Sequence, residues 1–238
     1  MNKIIIFSIL ITFMAIIQGC SSESSTSKNE QESISLNDFR EEFNVSHEHS
    51  IAVFSGGCFW CVEKDFEKIQ GVTEAISGYA SNSSQDLAPT YKDVASGSTD
   101  FRESVAVIYN SQNVSYKELV EHFLVHHDPT DEGGSFYDRG FQYTSAIYFK
   151  NENEREIAQS VISTFEEEEI YSNPIITSVE PLVNFYTAEK YHQNYYKKSP
   201  LQYRAYRFAS GRDRHISSVK ENLEDSSIEL YNSTHNEK

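Results

Sequence analysis

Two cysteines, Cys58 and Cys61, stand three positions apart in Ser55-Gly56-Gly57-Cys58-Phe59-Trp60-Cys61-Val62-Glu63-Lys64, and the only tryptophan, Trp60, sits between them. Thiols at this spacing support a narrow range of chemistry. They can open and close a disulfide, divide the work of nucleophile and resolving thiol, or furnish half of a four-ligand metal site. The choice depends on the elements that carry them.

Ile51-Ala52-Val53-Phe54 is an apolar run ending at Ser55-Gly56-Gly57, the pattern of a buried strand entering a turn. After it, Phe59, Val62, Phe66 and Ile69 recur every three or four residues among Glu63, Lys64, Glu67 and Lys68, which predicts an amphipathic helix stopped by Gly71. Cys58 then falls at the first turn of a helix, where free N–H groups and the dipole favour negative charge, so a thiolate with a lowered pKa is expected there. Cys61 shares that face at a Cβ spacing of about 5 to 6 Å, close enough for a small adjustment to form a disulfide.

Residues 72–80 read as a second strand, residues 81–100 as a polar loop, and residues 103–110 as a strand alternating Val105, Val107 and Tyr109 on one face. Residues 115–128 predict a helix with Ser115 as cap and Glu118 completing a capping box. Its apolar face is Tyr116, Leu119, Val120, Phe123 and Leu124, which leaves His122 and His126 expected in solvent. A loop with Pro129, Gly133, Gly134 and Gly140 precedes a strand over residues 143–150. The order strand, helix, strand, strand, helix, strand predicts an α+β fold, a ferredoxin-like two-layer sandwich built on the split βαβ unit. A helix over residues 154–169 with a solvated acidic end, a strand near 175–179 and a short helix near 188–196 are expected as C-terminal extensions.

At the other end, Lys3 is followed by an apolar run over residues 4–17, long enough for a secretory signal and short for a membrane span. Its close, Ile17-Gln18-Gly19-Cys20, resembles the bacterial lipoprotein signal, in which cleavage leaves Cys20 to carry lipid. The expected organisation is a signal over residues 1–19, a lipidated Ser-rich tether over 20–48, a folded domain over 49–215 and a polar tail over 216–238. That organisation predicts an exported protein anchored to a membrane in the cell envelope or periplasm, and a monomer is expected. With Cys20 acylated, two thiols remain, which excludes a multi-disulfide scaffold. A net charge of −16 repels a phosphate backbone, and no nucleic acid partner is expected.

Gly57-Cys58-Phe59-Trp60 is followed, in order, by Gly78-Tyr79-Ala80, Pro89-Thr90-Tyr91, Ser96-Gly97-Ser98-Thr99 with Glu103, His127-Asp128-Pro129-Thr130, Tyr137-Asp138-Arg139-Gly140, Gln142-Tyr143-Thr144-Ser145-Ala146-Ile147-Tyr148 and Tyr191-His192-Gln193. Over roughly residues 51–200 the chain resembles the A-type peptide methionine sulfoxide reductases. The resemblance implies reduction of methionine-S-sulfoxide, free and in proteins, as a repair activity without cofactor or metal. It gives Cys58 as the attacking thiol and Phe59 and Trp60 as a slot for the substrate methyl group, although Phe59 also reads as core packing. Glu103 matches a buried acid that a low-dielectric pocket keeps protonated for donation. Tyr91 and Tyr143 match hydroxyls that hold the sulfoxide oxygen, and Asp138 matches an acid that orients the pocket. Two departures stand out. Cys61 occupies a position where the family often has glycine, while no cysteine follows it, so the sulfenic acid on Cys58 is expected to close with Cys61 as a disulfide and to be recycled by an exported thioredoxin-like reductant. Phe101 stands where the family commonly has histidine near the acid.

Two other classes compete for the thiol pair. A general disulfide oxidoreductase of the thioredoxin kind would reduce insulin disulfides in preference to methionine sulfoxide. A metal-binding lipoprotein would join the cysteines to His122 and His126, but the residues between those histidines are Phe123, Leu124 and Val125, without the glutamate of a zinc-hydrolase helix. A surface interaction lipoprotein with an inert thiol pair is disfavoured because exposed thiols oxidise readily outside the cell.

Overall fold

The apolar run of residues 51–54 becomes the middle of strand β1 (His49–Ser55), buried on both sides. A computed structural model of the chain describes residues 40, 41, 45, 46, 48–84 and 88–228. In chain order β1 is followed by helix α1 (Phe59–Glu67), β2 (Val72–Ser81), α2 (Tyr91–Ala95), β3 (Arg102–Asn110), α3 (Tyr116–His126), the short pair β4 (Gly134–Ser135) and β5 (Asp138–Arg139), and β6 (Ala146–Phe149). Then come α4 (Glu152–Glu167), β7 (Ser178–Pro181), β8 (Asn184–Thr187), α5 (Tyr195–Lys198), α6 (Pro200–Ser210) and α7 (Arg212–Glu224). The main sheet runs β7-β6-β1-β3-β2-β8, antiparallel except for the β6–β7 pair. The fold is α+β.

Pleat alternation divides the strand residues between two apolar clusters. Ala52, Phe54, Val105, Val107, Tyr109 and Ile147 face α1 and α3 and pack with Phe59, Val62, Phe66, Leu119, Val120 and Phe123. Ile51, Val53, Ala106, Ile108, Ala146 and Tyr148 form the second cluster on the opposite face. The central strands are covered on both sides, so their register, with Phe54 opposite Val105 and Tyr79 opposite Glu103, is held from both faces. The predicted capping box is present: Ser115 accepts from the Glu118 amide, and the Glu118 side chain accepts from that of Ser115.

The structure corrects several expectations. The loop over residues 81–100 contains α2, started by a second capping box between Thr90 and Asp93. The strand expected near 175–179 lies at 178–181, and the helix expected near 188–196 is a loop that only turns helical at Tyr195, because Asn194 adopts a left-handed φ of 54°. His122 and His126 are buried, not solvated: they stack 3.7 Å apart beneath Phe66, and burial lowers the pKa of both, His126 to about 4. Packing of α7 against α3 contributes to covering that face, which a helical wheel of α3 alone cannot anticipate.

The boundary at residue 215 also moves. Residues 216–224, expected in a polar tail, continue α7 and place Ile216, Val219 and Leu223 in the main core. Leu223→Ala is therefore expected to destabilise the protein by roughly 2 to 4 kcal/mol. Urea unfolding checks this; an unchanged midpoint would return the segment to the tail.

Candidate active site

Gly57 delivers the chain from β1 to α1 with a φ of 81°, and a β-carbon added there would stand 2.5 Å from the Ser135 β-carbon. Only glycine fits this turn without displacing Ser135. Cys58 follows as the residue capping α1, with non-helical dihedrals, and its carbonyl accepts from the Cys61 amide at 3.0 Å. The first amides of the helix do not turn to the sulfur. The Phe59 N–H donates to Glu103 Oε2 at 3.0 Å, and the Cys58 N–H donates to the Asp138 carboxylate.

That arrangement reverses the expectation of a lowered Cys58 pKa. Burial pushes the Cys58 thiol well up, and its hydrogen bond to Cys61 and the negative charges of Cys61, Glu103 and Asp138 act in the same direction. Its neighbour is shifted the other way. Burial opposes ionisation of Cys61 too, but the hydrogen bond with Cys58 and the charges of Arg212 and Arg207 outweigh it and bring Cys61 down to about 7. Both cysteines are free thiols and both are buried. Glu103 is pushed up to about 8, chiefly by burial and further by Asp138 and Cys61, against the Phe59 hydrogen bond that favours its ionised form.

The structure brings the sequence-derived candidates together. Cys58, Phe59, Trp60, Tyr91, Glu103, Asp138 and Tyr143 line one open pocket of about 270 Å³. Cys61 lies behind it, within a cluster of Cys58, Cys61 and Tyr203. Phe59 serves both readings given to it, since it lines the pocket while being 1% exposed, with its ring 6.0 Å from Tyr79 and 6.5 Å from Tyr91. Cys20 lies outside the described residues.

Sequence reasoning passed over the groups that fix these side chains. Tyr206 of α6 completes the pocket lining and donates from its hydroxyl to Asp138. His192 accepts from Trp60 Nε1 at 3.1 Å and packs 4.4 Å from Tyr91, while Tyr195 stacks on Trp60 at 3.8 Å. Glu189 accepts from the Tyr91 amide at 2.9 Å and from the Tyr79 hydroxyl at 2.8 Å. Among fifteen tyrosines no single one stands out, but Pro200 at a helix start, followed by Tyr203, Tyr206 and Arg207 on one face, was a readable sign of an inward-facing helix.

A buried thiol facing a protonated carboxyl across an aromatic pocket, with a second thiol at its back, defines a thiol-based oxidoreductase. The family model for peptide methionine sulfoxide reductase matches residues 50–224, and the chain belongs to that family. It is 42% identical over 168 residues to the peptide methionine sulfoxide reductase MsrA of Bacillus velezensis, covering 71% of this chain and 94% of that protein. It is 40% identical over 176 residues to the MsrA/MsrB protein of Vibrio cholerae, of which it spans 46%. Among solved structures, methionine sulfoxide reductase A of Corynebacterium diphtheriae superposes with a TM-score of 0.61 at 30% identity, over 66% of this chain and 77% of that one.

The raised Glu103 pKa carries a linkage consequence. Because this carboxyl titrates near 4.5 when unfolded and about 8 when folded, its contribution to stability is full below 4.5 and is lost as pH rises through 8. Glu103→Gln keeps the shape without the ionisation, so it is expected to raise stability above neutral pH by roughly 1 to 3 kcal/mol while cutting sulfoxide reduction by about 10²- to 10⁴-fold. Denaturation at several pH values beside single-turnover rates checks both; a Glu103→Gln variant that becomes progressively less stable than wild type as pH rises contradicts the neutral carboxyl.

Proposed function

We propose that the protein reduces the S epimer of methionine sulfoxide, free and at exposed positions in oxidised proteins, and thereby repairs them. The observation that carries this reading is the pairing of Cys58 with a carboxyl held protonated by burial in one pocket. A sulfoxide needs a sulfur nucleophile, an apolar seat for its methyl group and a proton for its oxygen. Cys58 supplies the first, Phe59 and Trp60 the second, and Glu103 the third, with the Tyr91 and Tyr143 hydroxyls holding the oxygen and Asp138 fixing the Cys58 amide. Cys58 starts as a thiol, so its proton leaves as the sulfur attacks and Glu103 protonates the oxygen. The sum is balanced: sulfoxide and thiol give methionine and a Cys58 sulfenic acid.

Cys61 then resolves the sulfenic acid, giving a Cys58–Cys61 disulfide and water. A dithiol partner of thioredoxin type reopens the disulfide by exchange through a mixed disulfide. The support is the adjacency of the two thiols and the lowered pKa of the inner one. Export and lipid anchoring through Cys20 belong to the same reading, on the basic, apolar and Gly19-Cys20 pattern of residues 1–20. We also assign the β6-β1-β3-β2 part of the sheet to the ferredoxin-like split βαβ arrangement, on its strand order and antiparallel pairing.

Cys58→Ser is expected to abolish turnover, and wild type to discriminate strongly against the R epimer; equal turnover of both epimers sinks the assignment. After one turnover without reductant, mass spectrometry is expected to find the Cys58–Cys61 disulfide. Cys61→Ser should release about one methionine per enzyme and stop as a sulfenic acid trapped by dimedone. Cys20→Ala is expected to move the protein from the membrane fraction to the soluble one, and unchanged fractionation removes Cys20 as the anchor.

A further inference from the structure

Helix α6 ends at Gly211, whose left-handed φ of 77° turns the chain directly into α7, and Arg212 is the first residue past the turn. Its side chain points inward and is 1% exposed. The guanidinium donates from Nη1 to the His126 carbonyl at 2.6 Å and from Nη2 to the Gly56 carbonyl at 2.9 Å, and Cζ lies 4.9 Å from the centre of the Phe136 ring. None of these partners carries a formal charge. Among the described residues no carboxylate comes within ion-pairing distance of Arg212, whereas the neighbouring buried Arg207 is matched by Asp65 at 2.8 Å and Asp213 at 2.6 Å. Holding an unmatched guanidinium inside the protein is costly, so a negative group near it gains from its presence.

The guanidinium lies against the active-site turn. A β-carbon on Gly57 would come within 3.3 Å of Arg212 Nη2. The ionisable groups that face Cys61 are Cys58 and Asp65 on either side of it in α1, Glu103 from β3, Tyr203, Tyr206 and Arg207 from α6, and Arg212 from α7. Two of these are cations, and Arg212 is the one with no carboxylate at ion-pairing distance; Asp138 of β5, beside Cys58, feels its charge from beyond that distance. We propose that Arg212 is a positioning residue for the second half of the cycle: its unmatched charge behind the Gly56-Gly57 turn holds Cys61 as the thiolate that attacks the Cys58 sulfenic acid, while its two carbonyl bonds fix that turn. In this step the Cys61 thiolate displaces hydroxide from the Cys58 sulfur. An S–S bond forms, the S–O bond breaks, the hydroxide takes a proton and leaves as water, and the sulfenic sulfur is reduced as the Cys61 sulfur is oxidised. The inference rests on Cys61 being the resolving thiol, and its test separates the two claims.

In the full chain carrying Cys20→Ala and Cys58→Ser, whose hydroxyl keeps a hydrogen-bond donor where the Cys58 thiol stood, Cys61 is the only thiol, and its ionisation is read from the ultraviolet thiolate absorbance as a function of pH. Its midpoint is expected below the ordinary thiol value of about 8.5. Adding Arg212→Gln should raise that midpoint by about one unit or more, and Arg212→Lys, which keeps the charge, should raise it less. In chains with both active-site cysteines, Arg212→Gln should slow the loss of dimedone-reactive sulfenic acid at least about tenfold more than it slows methionine release. A folded Arg212→Gln whose midpoint and resolution rate match the parent overturns the proposal. If that variant does not fold, a parent midpoint at or above the ordinary thiol value overturns it by itself, and a low parent midpoint retained in Arg212→Lys upholds it. Failure of Cys61 as resolving thiol looks different: the sulfenic acid then persists in the wild type, whatever stands at position 212.

Discussion

The hydrogen bond from the Phe59 amide to the Glu103 carboxyl fastens β3, the start of α1 and the floor of the pocket to one another. It satisfies an amide that a helix start leaves free, and it does so with an acid the interior keeps neutral. Two thiols and two carboxyls crowd this space, and like charges so close cannot all ionise together. Burial opposes ionisation of all four; the Cys58 hydrogen bond and Arg212 ease it at Cys61, Tyr206 and Arg212 ease it at Asp138, and Cys58 and Glu103 are both pushed toward their protonated forms.

Around that electrostatic centre the pocket wall is aromatic, and its rigidity comes from elsewhere in the chain. Trp60 is held between the His192 ring nitrogen and the face of Tyr195, and Tyr91 hangs from Glu189 through its amide. Trp60 and Tyr91 are thus fixed by polar bonds and ring contacts supplied from residues 189–206.

Much of this was legible in the residues. The apolar period around Phe59, Val62 and Phe66 located α1, the capping box at Ser115 located α3, and the order of acids and tyrosines around Cys58 marked the pocket lining later found in one place. Two things were not legible. The Cys58 thiol is pushed up first by burial and then by Cys61, Glu103 and Asp138, and that enclosure is settled by long-range packing of β3 and β5 against α1 and not by position in a helix. The burial of His122 and His126, and the inward path of Arg212, depend on how α7 crosses α3, where the local pattern in the chain is predominantly polar.

The enclosure of Cys61 has a temporal side. The bonds that seal it from behind span most of the domain: Arg207 reaches Asp65 across a separation of 142 residues, and Arg212 reaches Gly56 across 156. Contacts so distant in sequence form late and slowly, because the loop they close must be ordered first. A nascent chain therefore carries its reactive sulfurs as ordinary accessible thiols until its last helices have emerged. Until those contacts form, the dithiol lacks the enclosure that the last two helices supply.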